Sequence, residues 1–170
     1  MNLVVSVGSS PPLRITHQAR RELTSQESAG IVLESLEDND TLTEITVGDA
    51  PSTSTVSVHW NSAASAELGA LYLPESNHLF VGAGQVSGVI DLTKASVVSI
   101  EYPFLFWSFE GVSSFVAQYG ELECLLYDSR GTVLDRAQVD PPYEISRSPE
   151  RLEFQSIVAG LTTLEFPPGS

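Results

Sequence analysis

The densest group of side chains that could do chemistry is a cluster of four carboxylates, at Glu37, Asp38, Asp40 and Glu44. Calcium loops use oxygen ligands at alternate positions, as Asp38 and Asp40 would, but they also need a glycine for their sharp turn. Because no glycine follows these two aspartates closely, we interpret the cluster as the solvated tip of a hairpin. Its carboxylates form the predicted docking face for a basic partner.

A second pair of carboxylates, Glu121 and Glu123, is two residues apart on a predicted strand, which places them on one face about 7 Å apart. Glycosidases need paired carboxylates, yet a half-solvated strand shows the same alternation, here with Leu122 and Cys124 opposite. Nor does a serine lie in a Gly-x-Ser-x-Gly nucleophile elbow, because the segment 111–115 lacks the second glycine. No catalytic residue is predicted, and we expect the protein not to be an enzyme.

Three glycines, Gly82, Gly84 and Gly88, follow a strand-like segment and superficially match a dinucleotide-binding loop. That loop needs a helix to begin inside it, so that amide groups and the helix dipole meet the pyrophosphate. Residues 86–92 continue instead as a β-type run. We therefore predict a glycine-rich hairpin and no cofactor.

The histidines, His17, His59 and His78, show none of the short spacings of a zinc site, and no metal site is predicted. An enzyme would need a pocket that brings His59 or His78 together with a carboxylate. The single cysteine, Cys124, lies in an apolar segment with acidic neighbours, whereas a reactive thiolate needs cationic ones. We predict a buried structural thiol.

The net charge is −14, from 22 acidic and 8 basic residues. Between Arg21 and Lys94 there is no lysine or arginine, while that interval holds 11 acids. Such a surface repels nucleic-acid phosphates and anionic membranes, and it attracts a basic protein partner. A single thiol suits a reducing compartment, and the first residues lack the features of a secretion signal. We expect a cytoplasmic protein, for which a homo-oligomer remains possible.

Short segments with period-two alternation, separated by turn residues, indicate an antiparallel β domain. Val56, Val58 and Trp60 alternate with polar residues in the clearest half-buried strand. Residues 31–36 and 41–47 flank the predicted hairpin tip, and residues 128–131 form a second predicted turn. The fold class predicted is mainly β, an antiparallel β-sandwich or curled sheet with one or two short helices, in a single domain over residues 1–170.

Four apolar residues have the i, i+3, i+4, i+7 spacing of one helix face, namely Val112, Phe115, Val116 and Tyr119. Gly120 follows as a C-terminal stop. A second, weaker helix is predicted over residues 16–23.

Half of the fourteen aromatic residues lie within eighteen positions, at Tyr102, Phe104, Phe106, Trp107, Phe109, Phe115 and Tyr119. The favoured interpretation is the densest part of the core. The alternative is an exposed anchor for a partner, with Trp107 as its best candidate.

The chain from about residue 71 to residue 166 resembles a type of small bacterial cytoplasmic protein similar to the immunity class of toxin–antitoxin competition systems. The resemblance rests on LFVGAG (79–84), VIDL (89–92), FWSF (106–109), GELEC (120–124), the turn at 128–131 and DPP (140–142). It implies a small acidic inhibitor, and it transfers no functional residue.

The sequence therefore favours a non-catalytic binding protein of the inhibitor or immunity type, which occludes a basic protein partner. The alternative is a carbohydrate-binding or structural β-sandwich module. That function would need an exposed aromatic platform, so Trp60 or Trp107 should be solvent-accessible.

Overall fold

The computed structural model describes residues 3–7, 13–19, 30–36, 38–48, 53–62 and 68–168. Within these ranges the chain forms 16 strands and no helix. The first eight are β1 (Leu3–Val7), β2 (Leu13–Ala19), β3 (Ile31–Glu34), β4 (Thr41–Val47), β5 (Ser54–Trp60), β6 (Leu68–Leu73), β7 (His78–Ala83) and β8 (Val86–Asp91). The second eight are β9 (Ser96–Glu101), β10 (Phe106–Val112), β11 (Phe115–Gly120), β12 (Glu123–Tyr127), β13 (Val133–Gln138), β14 (Tyr143–Arg147), β15 (Arg151–Ser156) and β16 (Leu161–Glu165).

The strands form four sheets. Sheet 1 has the order β2-β4-β5-β3, sheet 2 the order β1-β6-β7-β8-β9, sheet 3 the order β10-β11-β12-β13 and sheet 4 the order β14-β15-β16. Neighbouring strands run antiparallel except in the pairs β1–β6 and β3–β5, which are parallel. The prediction of a mainly β fold is confirmed.

The four sheets stack in numerical order, and each of the three interfaces is an apolar layer. Sheets 1 and 2 enclose a layer that includes Val58, Trp60 and Leu79. Sheets 2 and 3 enclose Phe80 and Phe106 among others. The layer between sheets 3 and 4 includes Phe115, Tyr119, Leu126, Leu152 and Phe154. Because sheets 2 and 3 are covered on both faces, all residues of β7, β8 and β11 are buried.

The helix predicted from the spacing of Val112 to Tyr119 is wrong, because this segment is the hairpin of β10 and β11. Val112 pairs with Phe115 across the two-residue turn, in which Ser113 has a φ of 55°. Phe115 and Tyr119 face sheet 4, whereas Val116 faces sheet 2. A strand buried on both faces is apolar at nearly every position, so its sequence also satisfies a helical spacing. The weaker helix predicted over residues 16–23 is also contradicted where the structure describes it, since residues 16–19 belong to β2.

The hairpin predicted at residues 37–40 is also wrong. β3 and β4 do not pair with each other, because β5 lies between them and pairs with both. Residues 35–36 and 38–40 therefore belong to a crossover that carries the chain over the end of β5, and residue 37 lies outside the described residues.

Two other predicted turns are confirmed. Between β12 and β13, the Gly131 amide donates to the Asp128 carbonyl at 3.1 Å, and Gly131 has a φ of 86°. The Asp128 carboxylate accepts from the amides of Arg130 and Thr132 at 2.9 and 2.8 Å. This is the side-chain chemistry that favours aspartate at the start of a turn.

The glycine-rich segment is the hairpin of β7 and β8, as predicted. Its glycines serve sheet packing, since Gly82 lies directly against the Phe106 ring, where a Cβ would collide with it. Gly84 occupies the two-residue turn with a φ of 55°, a conformation that glycine adopts without strain. The Gly84 carbonyl accepts from the Phe106 amide at 2.7 Å, which ties this turn to sheet 3.

Candidate partner-binding surface

The predicted acidic docking face lies on the crossover between β3 and β4, whose described residues are 35–36 and 38–40. Main-chain hydrogen bonds to β5 hold both ends of this segment. The Ser35 amide donates to the His59 carbonyl at 2.9 Å, and the Asp40 amide donates to the Trp60 carbonyl at 3.2 Å. The crossover is therefore fixed to the end of sheet 1 at both ends.

Asp40 is the structural centre of this segment. Its Oδ1 accepts from the Ser62 amide and from the Thr41 hydroxyl, each at 2.8 Å, and its Oδ2 accepts from the Ser62 hydroxyl at 3.1 Å. These hydrogen bonds, the one from the Ser62 amide first, lower the pKa of the Asp40 carboxyl below its usual value. Asp40 thus stays ionised and joins the crossover to the segment after β5.

The outward side of the crossover combines charge with an apolar side chain. Leu36 is 77% exposed, and Glu34 and Asp38 on either side of it are also exposed. The Asn39 side-chain amide donates to Glu34 Oε1 at 3.2 Å and so orients that carboxylate. The described part of this segment therefore presents one apolar side chain and two carboxylates to solvent.

The other predicted docking residues are divided between this surface and the rest of sheet 1. Glu44 lies within β4, half-buried, in register with Thr16 of β2 and Ser57 of β5. It is four residues beyond Asp40, or about 13 Å along the strand. Glu37 lies outside the described residues. Exposed Leu36 was missed from the sequence, although its position beside the acidic cluster was a usable signal.

The aromatic segment is mostly core. Trp107 is half-buried, and its ring stacks on that of Tyr143 with centroids 5.2 Å apart, so one face of the indole is occupied. Its role as a partner anchor stays a prediction. The aromatic side chains that this segment does expose are Tyr102, at 48%, and Phe104, at 59%.

Neither described histidine that was considered for catalysis is bonded to a carboxylate. His78 is buried opposite Asp91, and its Nδ1 lies 2.6 Å from the Ser76 carbonyl. The Asp91 carboxylate instead accepts from the amides of Thr93 and Lys94, at 2.9 and 3.0 Å. His59 lies opposite Glu34, but within the described part of the chain its ring nitrogens have no hydrogen-bond partner.

The paired glutamates Glu121 and Glu123 have different surroundings in the structure. Glu123 begins β12 and forms an ion pair with Arg136 at 3.1 Å, and Arg136 also binds Glu101 at 2.8 Å. Glu121 precedes the strand, and its Oε2 is buried without a hydrogen-bond partner in the described residues. The Cys124 thiol is buried, and burial raises its pKa to about 11, which is the chemistry of a structural thiol.

The described residues lack two features, a metal-binding group and a membrane-spanning helix. No group of three or more histidine, cysteine, aspartate or glutamate side chains there could hold a metal ion. In the same ranges, no helix is long and apolar enough to cross a membrane.

Comparison with known proteins gives no family for this chain. No family model and no curated protein matches it. Among solved structures, it is similar to Hsv2 from Kluyvelomyces marxianus, with 9% identity, a TM-score of 0.33, and coverage of 72% of this chain and 42% of that one. It is also similar to BamB from Moraxella catarrhalis, with 10% identity, a TM-score of 0.27, and coverage of 81% and 59%. The chain thus spans less than two thirds of either protein.

Proposed function

We propose that this chain is a non-catalytic, acidic binding protein that acts in the cytoplasm by occluding a basic surface of a protein partner. The observation that carries the proposal is Leu36, 77% exposed, between the exposed carboxylates of Glu34 and Asp38. An apolar side chain that becomes buried on contact, with charged side chains around it, corresponds to the apolar core and polar rim of an interface.

The charge of the whole chain supports the same function. With a net charge of −14, the chain attracts a basic protein over a longer range than the contact itself, which raises the association rate. After contact, burial of Leu36 supplies apolar area, and the neighbouring carboxylates pair with arginine or lysine side chains of the partner. Occlusion of a phosphate-binding cleft is the mode of inhibition that this chemistry suits, as in an inhibitor of the immunity type.

The test uses capture of proteins from a lysate of the source organism on the immobilised chain, at low salt and at about 0.5 M salt, which screens surface charge. Leu36→Ser removes the anchor, and Asp38→Lys reverses a charge beside it. Glu144→Lys is the matched control, because Glu144 is exposed on β14 of sheet 4. We expect one basic protein that the wild type and the control retain at low salt, and that both crossover variants lose.

Capture of the same protein by all four chains would place the interface elsewhere and contradict the role of the crossover. Absence of any captured protein at either salt concentration would contradict the binding function itself.

The carbohydrate-binding alternative has less support. The tryptophan platform it needs is not formed by Trp60, which is 0% exposed and donates to the Thr43 hydroxyl at 3.0 Å. Trp107 is half-buried and stacked on Tyr143. Glycan binding would have to use Tyr102 and Phe104, and a glycan screen of the wild type against Phe104→Ala tests that directly.

A further inference from the structure

β9 ends sheet 2 on one side. Its main chain pairs with β8, and no main-chain hydrogen bond leaves its other edge within the described residues. An unpaired edge of this kind is a template for another strand, and proteins usually protect it with charged side chains.

The exposed side chains of β9 are not charged. Val98 is 45% exposed and Ile100 is 38% exposed, and Tyr102, which directly follows the strand, is 48% exposed. Val98 is the residue skipped in the irregular pairing with β8, and from there to Tyr102 the apolar residues alternate and form one row. The exposed residues of the outer strands of sheets 3 and 4 include charged ones, such as Arg136 on β13 and Glu165 on β16.

The only charged residue of β9, Glu101, lies on the opposite face of the strand. Its carboxylate binds Arg136 at 2.8 Å, and the Ser99 hydroxyl on the same face donates to the Gly131 carbonyl at 3.1 Å. The polar side chains of β9 therefore tie the strand to sheet 3. The apolar row, on the other face, stays partly exposed, at 38% to 48%.

We propose that two copies of the chain associate through β9, antiparallel, with the two-fold axis at Ile100. In this register Ile100 faces Ile100 of the second copy, and Val98 faces Tyr102 in both directions. The two sheets become one continuous sheet, and each apolar row lies beside an identical row. Cross-strand pairs of β-branched and aromatic residues are among the more stabilising ones.

Charge decides the register. With the axis at Ile100, each Glu101 faces Ser99, so no two carboxylates are opposed. Moving the axis to Glu101 would place two carboxylates directly opposite each other, which is destabilising. Moving the axis to Ser99 would pair Tyr102 with Ser96. It would also place the irregular pairing of β9 with β8, which lies beside Val98, at the centre of the contact.

Charge also favours a second copy over a strand from a basic partner. Basic side chains on an added strand would meet Val98, Ile100 and Tyr102, lose water, and find no carboxylate in exchange. A second copy brings an uncharged row instead. The net charge of −14 on each copy opposes association at long range, but salt screens that repulsion.

The first experiment measures the mass of the whole chain in solution by light scattering and sedimentation over a range of concentrations. We expect twice the mass of one chain for the wild type, and a dissociation constant at least tenfold higher for Ile100→Lys, which places two ammonium groups on the axis. Leu134→Lys is the matched control, because Leu134 on β13 is 39% exposed against 38% for Ile100. The control should dimerise as the wild type does.

The second experiment tests the register and also serves if Ile100→Lys folds poorly. Residues directly opposite in an antiparallel pair have Cβ atoms about 5 Å apart, close to the reach of a disulfide. Under mild oxidation, Ile100→Cys should therefore form a covalent dimer. Val98→Cys should not, because the two copies of residue 98 are about 13 Å apart in this register. The native Cys124 is buried and does not interfere.

A wild-type chain that stays monomeric at every concentration would overturn the proposal. So would a dimer that Ile100→Lys and Leu134→Lys weaken equally, because the contact would then lie elsewhere. Cross-linking of Val98→Cys but not of Ile100→Cys would refute the register. None of these results depends on whether a basic partner exists.

Discussion

The packing of Gly82 against Phe106 gives the sharpest test of how sheets 2 and 3 fit together. A Cβ added at Gly82 would collide with the Phe106 ring, with three ring atoms in contact. Phe106 is 0% exposed and also lies against Gly69, the cross-strand partner of Gly82. The ring therefore has no free direction in which to move, and we expect Gly82→Ala to destabilise the protein.

The expected loss in the free energy of unfolding is about 1–3 kcal/mol, the usual cost of adding a methyl group to a closely packed core. Gly111→Ala is the matched control. Gly111 also lies in a strand of the same region, but a Cβ there would meet nothing within 4 Å. That substitution should leave stability unchanged or raise it by up to about 1 kcal/mol, because alanine restricts the unfolded chain.

A smaller side chain at position 106 should change the sign of the effect. Phe106→Ala removes the six ring carbon atoms, including the three that a Cβ at Gly82 would meet, and costs about 3–5 kcal/mol. In that background, the methyl group of Gly82→Ala enters space that the ring has left. Gly82→Ala should then be neutral or stabilising, so the two substitutions together should cost less than the sum of their separate effects.

The measurement is equilibrium unfolding in urea, followed by tryptophan fluorescence and circular dichroism, with the midpoint and slope compared among the variants. If Gly82→Ala cost the same in the wild type and in the Phe106→Ala variant, the reasoning would be refuted, because the loss would then come from the strand itself. A loss in Gly111→Ala as large as that in Gly82→Ala would do the same.

Three further predictions concern single groups. Burial raises the pKa of the Cys124 thiol to about 11. Ellman's reagent at pH 8 should therefore modify this thiol fully in urea and only slowly in the folded protein. Equal rates of modification would contradict its burial. Tyr127→Phe removes the donor that binds Gln118 Oε1 at 2.9 Å, and urea unfolding should show a loss of about 1 kcal/mol; an unchanged midpoint would mean that this hydrogen bond adds nothing. The Ser62 amide is the main cause of the lowered pKa of Asp40. The contribution of the Asp40 carboxylate to stability is therefore present above the unfolded pKa of about 3.9 and is lost as the pH falls through the folded pKa. Unfolding of wild type and Asp40→Asn should therefore differ at pH 7 and converge in acid, and a difference that persisted in acid would exclude this linkage.

Local patterns were sufficient to predict the parts of the fold whose cause is local. The alternation of Val56, Val58 and Trp60 predicted β5, because one face of that strand packs on sheet 2 and the other is more polar. The turn at residues 128–131 was predicted because its aspartate and glycine satisfy its own backbone. In both cases the residues that specify the structure lie within the segment.

The errors have non-local causes. Sheet 2 covers one face of β11 and sheet 4 covers the other. Its apolar residues therefore also have a helical spacing, which led to the prediction of a helix. No feature of residues 115–120 alone indicates that two sheets cover them. The segment 37–40 was predicted as a hairpin because its turn residues are typical of one. Its flanking strands are separated by β5, a strand that comes only after both of them in the chain.

The apolar row of β9 departs from the usual rule for alternating strands. Val98, Ile100 and Tyr102 alternate with more polar residues, so the usual rule places the apolar row in the core. In the structure the opposite face packs inward, because Glu101 and Ser99 bind Arg136 and Gly131 of sheet 3. The apolar face of β9 is therefore left partly exposed, and the sequence alone contains no sign of this orientation.

The acidity of the chain gives the two proposed contacts opposite responses to salt. A basic partner is held partly by attraction to the net charge of −14, so added salt should weaken that complex. Two copies of the chain repel each other by the same charge while their β9 rows are uncharged, so added salt should strengthen the dimer. Titration of both equilibria between low and about 0.5 M salt therefore separates the contacts without any substitution. A dimer that weakened with salt would have to be held by charged groups rather than by Val98, Ile100 and Tyr102, and a partner complex that strengthened with salt would not depend on the acidic crossover.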